Sequence, residues 1–236
     1  MSHFVVAVFS HTDDIEEIES LLAPYNECTE DEQYLKFKVC EEPKEEIDAK
    51  YEEQKENFEN FEDFLLKWYG YRVNPDTGEY GYTCNPNASW DWWQIGGGWA
   101  DMLKLKDGTM TNGAFVKDVD FAIDEEAYNK ALRFWDVVVE GESILPHENK
   151  EDFFHLWNRN YYIDRYGSRE AYANSCANFS TYAFVTADGQ WIEQGRMGWF
   201  GVDNANRDSI QECKDKLAKY IAENPELYVT IVDCHI

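Results

Sequence analysis

His3-Phe-Val-Val-Ala-Val-Phe-Ser10 places six consecutive apolar residues between polar ones. A run this short, rich in valine and phenylalanine, reads as a strand buried on both faces, because a helix needs about ten residues or more. Its counterpart is Leu227-Tyr-Val-Thr-Ile-Val232, a second strand that runs into the last residues of the sequence. If the two pair antiparallel, His3, Val5, Ala7 and Phe9 line one face of the first. Val229, Ile231, Asp233 and His235 line one face of the last.

The segments beside these strands complete the pattern. Thr12-Asp13-Asp14 caps a short helix with Ile15, Ile18, Leu21 and Leu22 inward, and Pro24 stops it. Tyr182–Thr186, the turn Ala187-Asp-Gly189 and Trp191–Gln194 form a hairpin. Asn206 or Asp208 then opens a helix carrying Ile210, Cys213, Leu217 and Ile221 on its inner face. Strand–helix at one end and hairpin–helix–strand at the other specify an α+β fold: an antiparallel sheet backed by helices, for which a ferredoxin-like order is one arrangement that fits. Residues 27–180 read as an elaborated, helical and aromatic-rich insertion within a single domain, 1–236. No linker-like composition marks a second one.

Within that insertion, Pro43 and Glu45–Glu46 suit a helix start. Ile47, Tyr51, Gln54, Phe58, Phe61, Leu65 and Trp68 recur at three- and four-residue steps, predicting one long amphipathic helix closed by Gly70. Fifteen acidic residues against five lysines lie between Glu27 and Asp63. That places Glu52, Glu56 and Glu59 on a solvent face that serves either as a solvated surface or as the seat of a protein partner. Asp107-Gly108 marks a hairpin. Asp124 opens a helix through Trp135, a third helix is expected after Pro146 with Phe153, Phe154, Leu156, Trp157 and Tyr161, and Ser168–Ala177 forms a fourth.

Composition bounds the function. The formal net charge is −26, from 47 acidic and 21 basic residues. Such a chain repels duplex DNA and anionic membranes and favours basic partners. The six cysteines form no CxxC pair, so neither a metal nor a disulfide framework is expected, and no cofactor motif is present. No cationic, apolar leader and no membrane-length apolar run is legible, so the expected location is a reducing cytoplasm.

Two constellations could carry chemistry. The first joins His3 to Asp233 and His235 across the paired ends, as an acid–base set, a metal site, or simply polar strand ends anchoring the termini. The second is Asn85-Pro-Asn-Ala-Ser-Trp-Asp-Trp-Trp-Gln-Ile-Gly-Gly-Gly-Trp99, four tryptophans and three consecutive glycines in one rigid turn. Trp93, Gly96, Gly97, Gly98 and Trp99, with Arg196 and Trp199, could seat a nucleotide: glycine amides and Arg196 on phosphate, an indole on the base. A structural stack of tryptophans around a tight turn explains the same residues.

The Asn85–Trp99 stretch, the opening Met1-Ser-His-Phe4, Ala23-Pro-Tyr25, Gly195-Arg-Met-Gly-Trp-Phe-Gly201 and the closing Val232-Asp-Cys-His-Ile236 together resemble a family of uncharacterised bacteriophage and prophage proteins. That family carries Trp-Asp-Trp-Tyr/Trp-x-x-Gly-Gly-Arg-Trp and Gly-x-Met-Gly-Trp-Phe/Trp-Gly, and ends in Asp-Cys-His-Ile. Gly98 stands where the pattern has arginine. The resemblance implies a phage setting more than a mechanism. The expected function is therefore a phage-derived binding protein of the host cytoplasm that counters a defence system through its acidic surface, on a basic nuclease or nucleic-acid-binding protein. Sequestration of a nucleotide signal in the tryptophan–glycine pocket, or metal-dependent nucleotide hydrolysis by the terminal residues, are the alternatives.

Overall fold

The computed structural model describes residues 2–198 and 201–236. The chain begins with β1 (His3–Ser10) and α1 (Ile15–Leu22), followed by β2 (Lys36–Val39), α2 (Lys44–Gln54), α3 (Phe61–Phe64), β3 (Arg72–Val73) and β4 (Tyr80–Cys84). Next come β5 (Trp92–Ile95), β6 (Leu103–Lys104), β7 (Met110–Thr111) and β8 (Gly113–Phe115), then α4 (Glu125–Val138), α5 (Arg159–Tyr166) and α6 (Arg169–Ala177). The hairpin β9 (Ala183–Val185) and β10 (Trp191–Glu193), α7 (Arg207–Glu223) and β11 (Tyr228–His235) finish it. Among the described residues no helix is long and apolar enough to cross a membrane.

The chain divides into two compact units, Met1–Leu22 with Trp92–Ile236, and Ala23–Asp91. The first is built on the predicted pairing. β1 and β11 run antiparallel over eight residue pairs, from His3 opposite His235 to Ser10 opposite Tyr228. Phe9, Phe184, Leu103, Leu217, Val229 and Ile231 are fully or almost fully buried in its core, together with Cys213 of α7. The α+β class with an antiparallel-rich sheet is thus realised.

The strand order is β10-β9-β1-β11-β5, with β8 also on β11. A ferredoxin-like sheet would insert β10 between β1 and β9; here β9 lies directly beside β1 and parallel to it. Burial explains the choice. Ala183, Phe184 and Val185 are all buried and suit an interior strand, whereas Trp191-Ile-Glu193 is only partly covered and suits an edge. The span 27–180 is also subdivided. Residues 23–91 form the separate unit, while β5 and β8 are strands of the main sheet, both paired with β11.

The second unit has its own small sheet, β2-β4-β3, and a core of Ile47, Phe64, Leu65 and Tyr80. Its long helix is interrupted. After α2 and a turn of 3-10 helix, Phe58 is extended (φ −132°, ψ 151°), and the Asn60 side chain accepts the Asp63 amide to start a new helix. A π turn, Leu65–Tyr69, follows and closes at Gly70 with φ 74°. The segment after Pro146 likewise forms only a short 3-10 turn at Lys150–Phe153, which leaves Phe154, Leu156 and Trp157 exposed before α5.

Two tests follow from this packing. Phe184 is fully buried against Phe9 and Tyr220, so Phe184→Ala should remove ~3–5 kcal/mol in urea unfolding followed by circular dichroism. At the start of α1, Glu17 accepts from the His11 and Thr12 amides, the Thr12 hydroxyl and the His11 ring. These bonds, the His11 amide foremost, lower its pKa from the ordinary 4.5 to about 2. A lowered carboxylate pKa stabilises the fold fully above pH 4.5 and loses that contribution as pH falls through about 2. Glu17→Gln should therefore flatten the acid limb of stability between those limits while lowering stability at neutral pH.

Candidate functional site

The end of the β1–β11 ladder is where the two constellations expected from the sequence meet. Residues directly opposite each other in antiparallel strands share a face. His3 lies opposite His235, and Asp233 two residues earlier on that same face. On the other side of β11, Trp92 pairs with His235 and Gln94 with Asp233. The tryptophan–glycine stretch is therefore the neighbouring strand of the terminal residues. The face they share is lined by His3, His235, Asp233, Trp92 and Gln94.

Asp233 is buried, with 3% of its surface exposed, and both of its oxygens are engaged. Oδ1 lies 2.9 Å from His3 Nδ1, and Oδ2 accepts the Gly98 amide at 2.9 Å. The His3 side chain is about half exposed, and its ring stands edge-on to His235 at 5.0 Å and to Trp92 at 6.1 Å. A carboxylate fixed on Nδ1 sets the ring orientation. That is the geometry of an acid–base pair. Cys234 points to the opposite face, fully buried, and burial pushes its thiol far up, so it supplies no nucleophile here. Among the described residues no three His, Cys, Asp or Glu side chains are grouped to hold a metal ion.

The glycine turn has a different task from the one expected. Gly96 (φ 71°) and Gly97 (φ 56°) take left-handed backbone that side chains avoid, and this folds the turn over Asp233. A Cβ on Gly97 would collide with the Asp233 carboxylate and with Gln94. The Gly96 amide donates to Ile231 O and the Gly98 amide to Asp233, so both are committed within the chain. The turn does bind an anion through backbone N–H, but the anion is the protein's own carboxylate.

The other expected pocket residues scatter. Trp93 pairs with Cys234 and so lies on the opposite face from His3. Trp99 packs partly buried against the main core. Trp90 is buried in the other unit and Trp92 is 45% exposed, so the four tryptophans do not form one stack. Arg196 is exposed on the loop after β10, which occupies the sheet edge opposite β5. Its backbone amide donates to Asn204, and its charge reaches Glu193, whose carboxyl is raised by burial. Among the described residues no hydrogen bond or ion pair joins Arg196 to Gly96–Gly98. Trp199 lies outside the described residues.

Trp92 and Gln94 are the site residues that the sequence reading missed. The signal for them was alternation: counting back by twos from Gly96 along an extended strand puts both on one face.

Gly97 and Gly98 should respond differently to a methyl group. Gly97→Ala should destabilise the first unit by more than ~1 kcal/mol and displace the His3 ring signal in NMR spectra, because φ is positive and Asp233 fills the space. Gly98→Ala should be tolerated, since its Cβ would sit 3.6 Å from Asp233 Oδ2, an ordinary contact. No protein-family model, curated protein or solved structure matches the chain, so charge and geometry carry its functional assignment.

Proposed function

We propose that this protein is a phage-encoded binding protein of the host cytoplasm. It acts against a defence system by engaging a basic nuclease or nucleic-acid-binding protein through the acidic 23–91 unit. The observation that carries this reading is the exposure of thirteen of the fifteen carboxylates between Glu27 and Asp63. The lysines of the same span offset little of that charge, and Lys50 and Lys55 are already paired with Glu53 and Glu52. Glu56 and Glu59 are exposed beside the Glu52 pair, on the turn and the extended break rather than on one straight helix. The same unit exposes Val39, Leu66 and Trp68, the last stacked on Phe64. Carboxylates that steer over about a Debye length, ~8 Å at physiological salt, and a rigid indole that anchors are complementary parts of one protein interface.

A second reading rests on the His3–Asp233 pair, whose buried, doubly bonded carboxylate favours a general acid–base role on a small substrate. His3→Gln would then abolish turnover of a candidate nucleotide with the fold unchanged, whereas a binding protein would retain its partner.

The acidic-surface reading makes two demands on a partner captured from a phage-susceptible host. Its association rate should fall at least about tenfold between 50 and 500 mM salt, order-of-magnitude values for a steered encounter. Glu52→Lys, Glu56→Lys and Glu59→Lys combined should weaken binding while leaving the melting temperature near that of the parent. Indifference to both in a stopped-flow or surface-binding measurement would sink the electrostatic reading.

A further inference from the structure

A cavity of about 600 Å³ opens between α6 and α7 in the first unit, far larger than a packing defect and within the usual range for small-ligand sites. Phe121, Phe179 and Ile221 form an apolar wall, with the two phenylalanine rings edge-to-face at 5.1 Å. Ser175 and Lys214 supply the polar side, where Lys214 Nζ donates to Ser175 Oγ at 2.7 Å.

Lys214 is treated differently from the other lysines of its helix. In a chain with 47 acidic residues a lysine ordinarily finds a carboxylate, and Lys216 and Lys219 do so one turn away, on Glu212 and Glu223. Lys214 instead turns into the cavity and meets a hydroxyl. Asp215, on the cavity wall, accepts from Gln211. Burial of the amine lowers the Lys214 pKa, and the nearby positive charge of Arg165 lowers it further. Arg165 has its own carboxylate, Asp203 at 3.5 Å, so Lys214 is the cation that faces the apolar-walled space, at the expense of its ammonium's solvation. An anion entering the cavity would offset the desolvation of the Lys214 ammonium.

We propose that the cleft between α6 and α7 binds a small amphipathic anion. A carboxylate or phosphate head rests on Lys214 Nζ and Ser175 Oγ, and an apolar body packs against Phe121, Phe179 and Ile221. This site is separate from the acidic unit and from the His3–Asp233 pair, and its fate is independent of either functional reading.

The test uses the full-length protein with octanoate and phenyl phosphate as probes for the two head groups, and octanol and phenol as their uncharged counterparts. Binding is followed by NMR titration. At least one anion should saturate the α6–α7 signals with a dissociation constant below about 1 mM. The matching neutral compound should bind at least about tenfold more weakly. Lys214→Met should weaken the anion by about tenfold or more, and Lys214→Arg should largely restore it. Should Lys214→Met fail to fold, Lys214→Gln supplies the same comparison. Saturation by octanoate alone or by phenyl phosphate alone identifies the head group. The proposal is overturned if neither anion shifts these signals at about 10 mM, if the neutral compounds bind equally well, or if removing the Lys214 charge leaves affinity unchanged.

Discussion

The antiparallel ladder between the first and last strands is the interaction on which the first unit depends. Its residues are almost all buried on both faces, so each backbone N–H and C=O must find its partner within the sheet. The ladder extends past the named strands, with Ser2 and Ile236 exchanging both of their backbone hydrogen bonds. Everything else in the sheet is attached to it. β9 adds to the outer side of β1, and β5 and β8 share the outer side of β11 in succession. Ile231 bridges that succession, accepting from the Gly96 amide and donating to Asn112 O, so the chain can leave the sheet and return without opening a gap.

The ladder also explains why the candidate site holds together. His3, from the opposite end of the sequence, meets Asp233 and His235 because the register places it there. The buried carboxylate is tolerable because it receives the His3 ring on one oxygen and a backbone amide on the other. The acidic unit follows a different logic. It keeps a compact aromatic core and leaves its carboxylates in water, where their mutual repulsion is weak enough to be screened. In the other unit one carboxylate, Asp233, is drawn inside and fully engaged.

Much of this was legible because it rests on local chemistry. The apolar run Phe4–Phe9 could only be a buried strand. Asp124 and Ser168 cap their helices, Gly70 ends its helix, and the Asp107-Gly108 hairpin turns where expected. The break at Phe58 was hidden because the apolar spacing runs straight through it. Phe58 still reaches Phe64 at 5.2 Å from an extended backbone, so the pattern is satisfied without a continuous helix. The side-by-side placement of β1 and β9 was also hidden, since strand order is set by which segment best survives full burial and not by any single stretch. For the site, His3, Asp233 and His235 were found by assuming the pairing of the ends. The role of the glycines was misjudged because sequence shows that amides are available, but not that the Ile231 carbonyl has taken that of Gly96 and the Asp233 carboxylate that of Gly98.

Position 98 is the point of freedom in this arrangement. Gly96 and Gly97 are locked by backbone angle and crowding, whereas Gly98 has open space beside the Asp233 carboxylate. An arginine at this position is the instructive contrast. A guanidinium at this position would compete with His3 for the same carboxylate, so the imidazole would pass from a fixed ring to a loosely tethered one. With glycine here, His3 shares that carboxylate only with the Gly98 backbone amide. The residue at position 98, outside the ladder but in contact with its Asp233, thus acts as a selector of how firmly the end of the sheet holds the His3 ring.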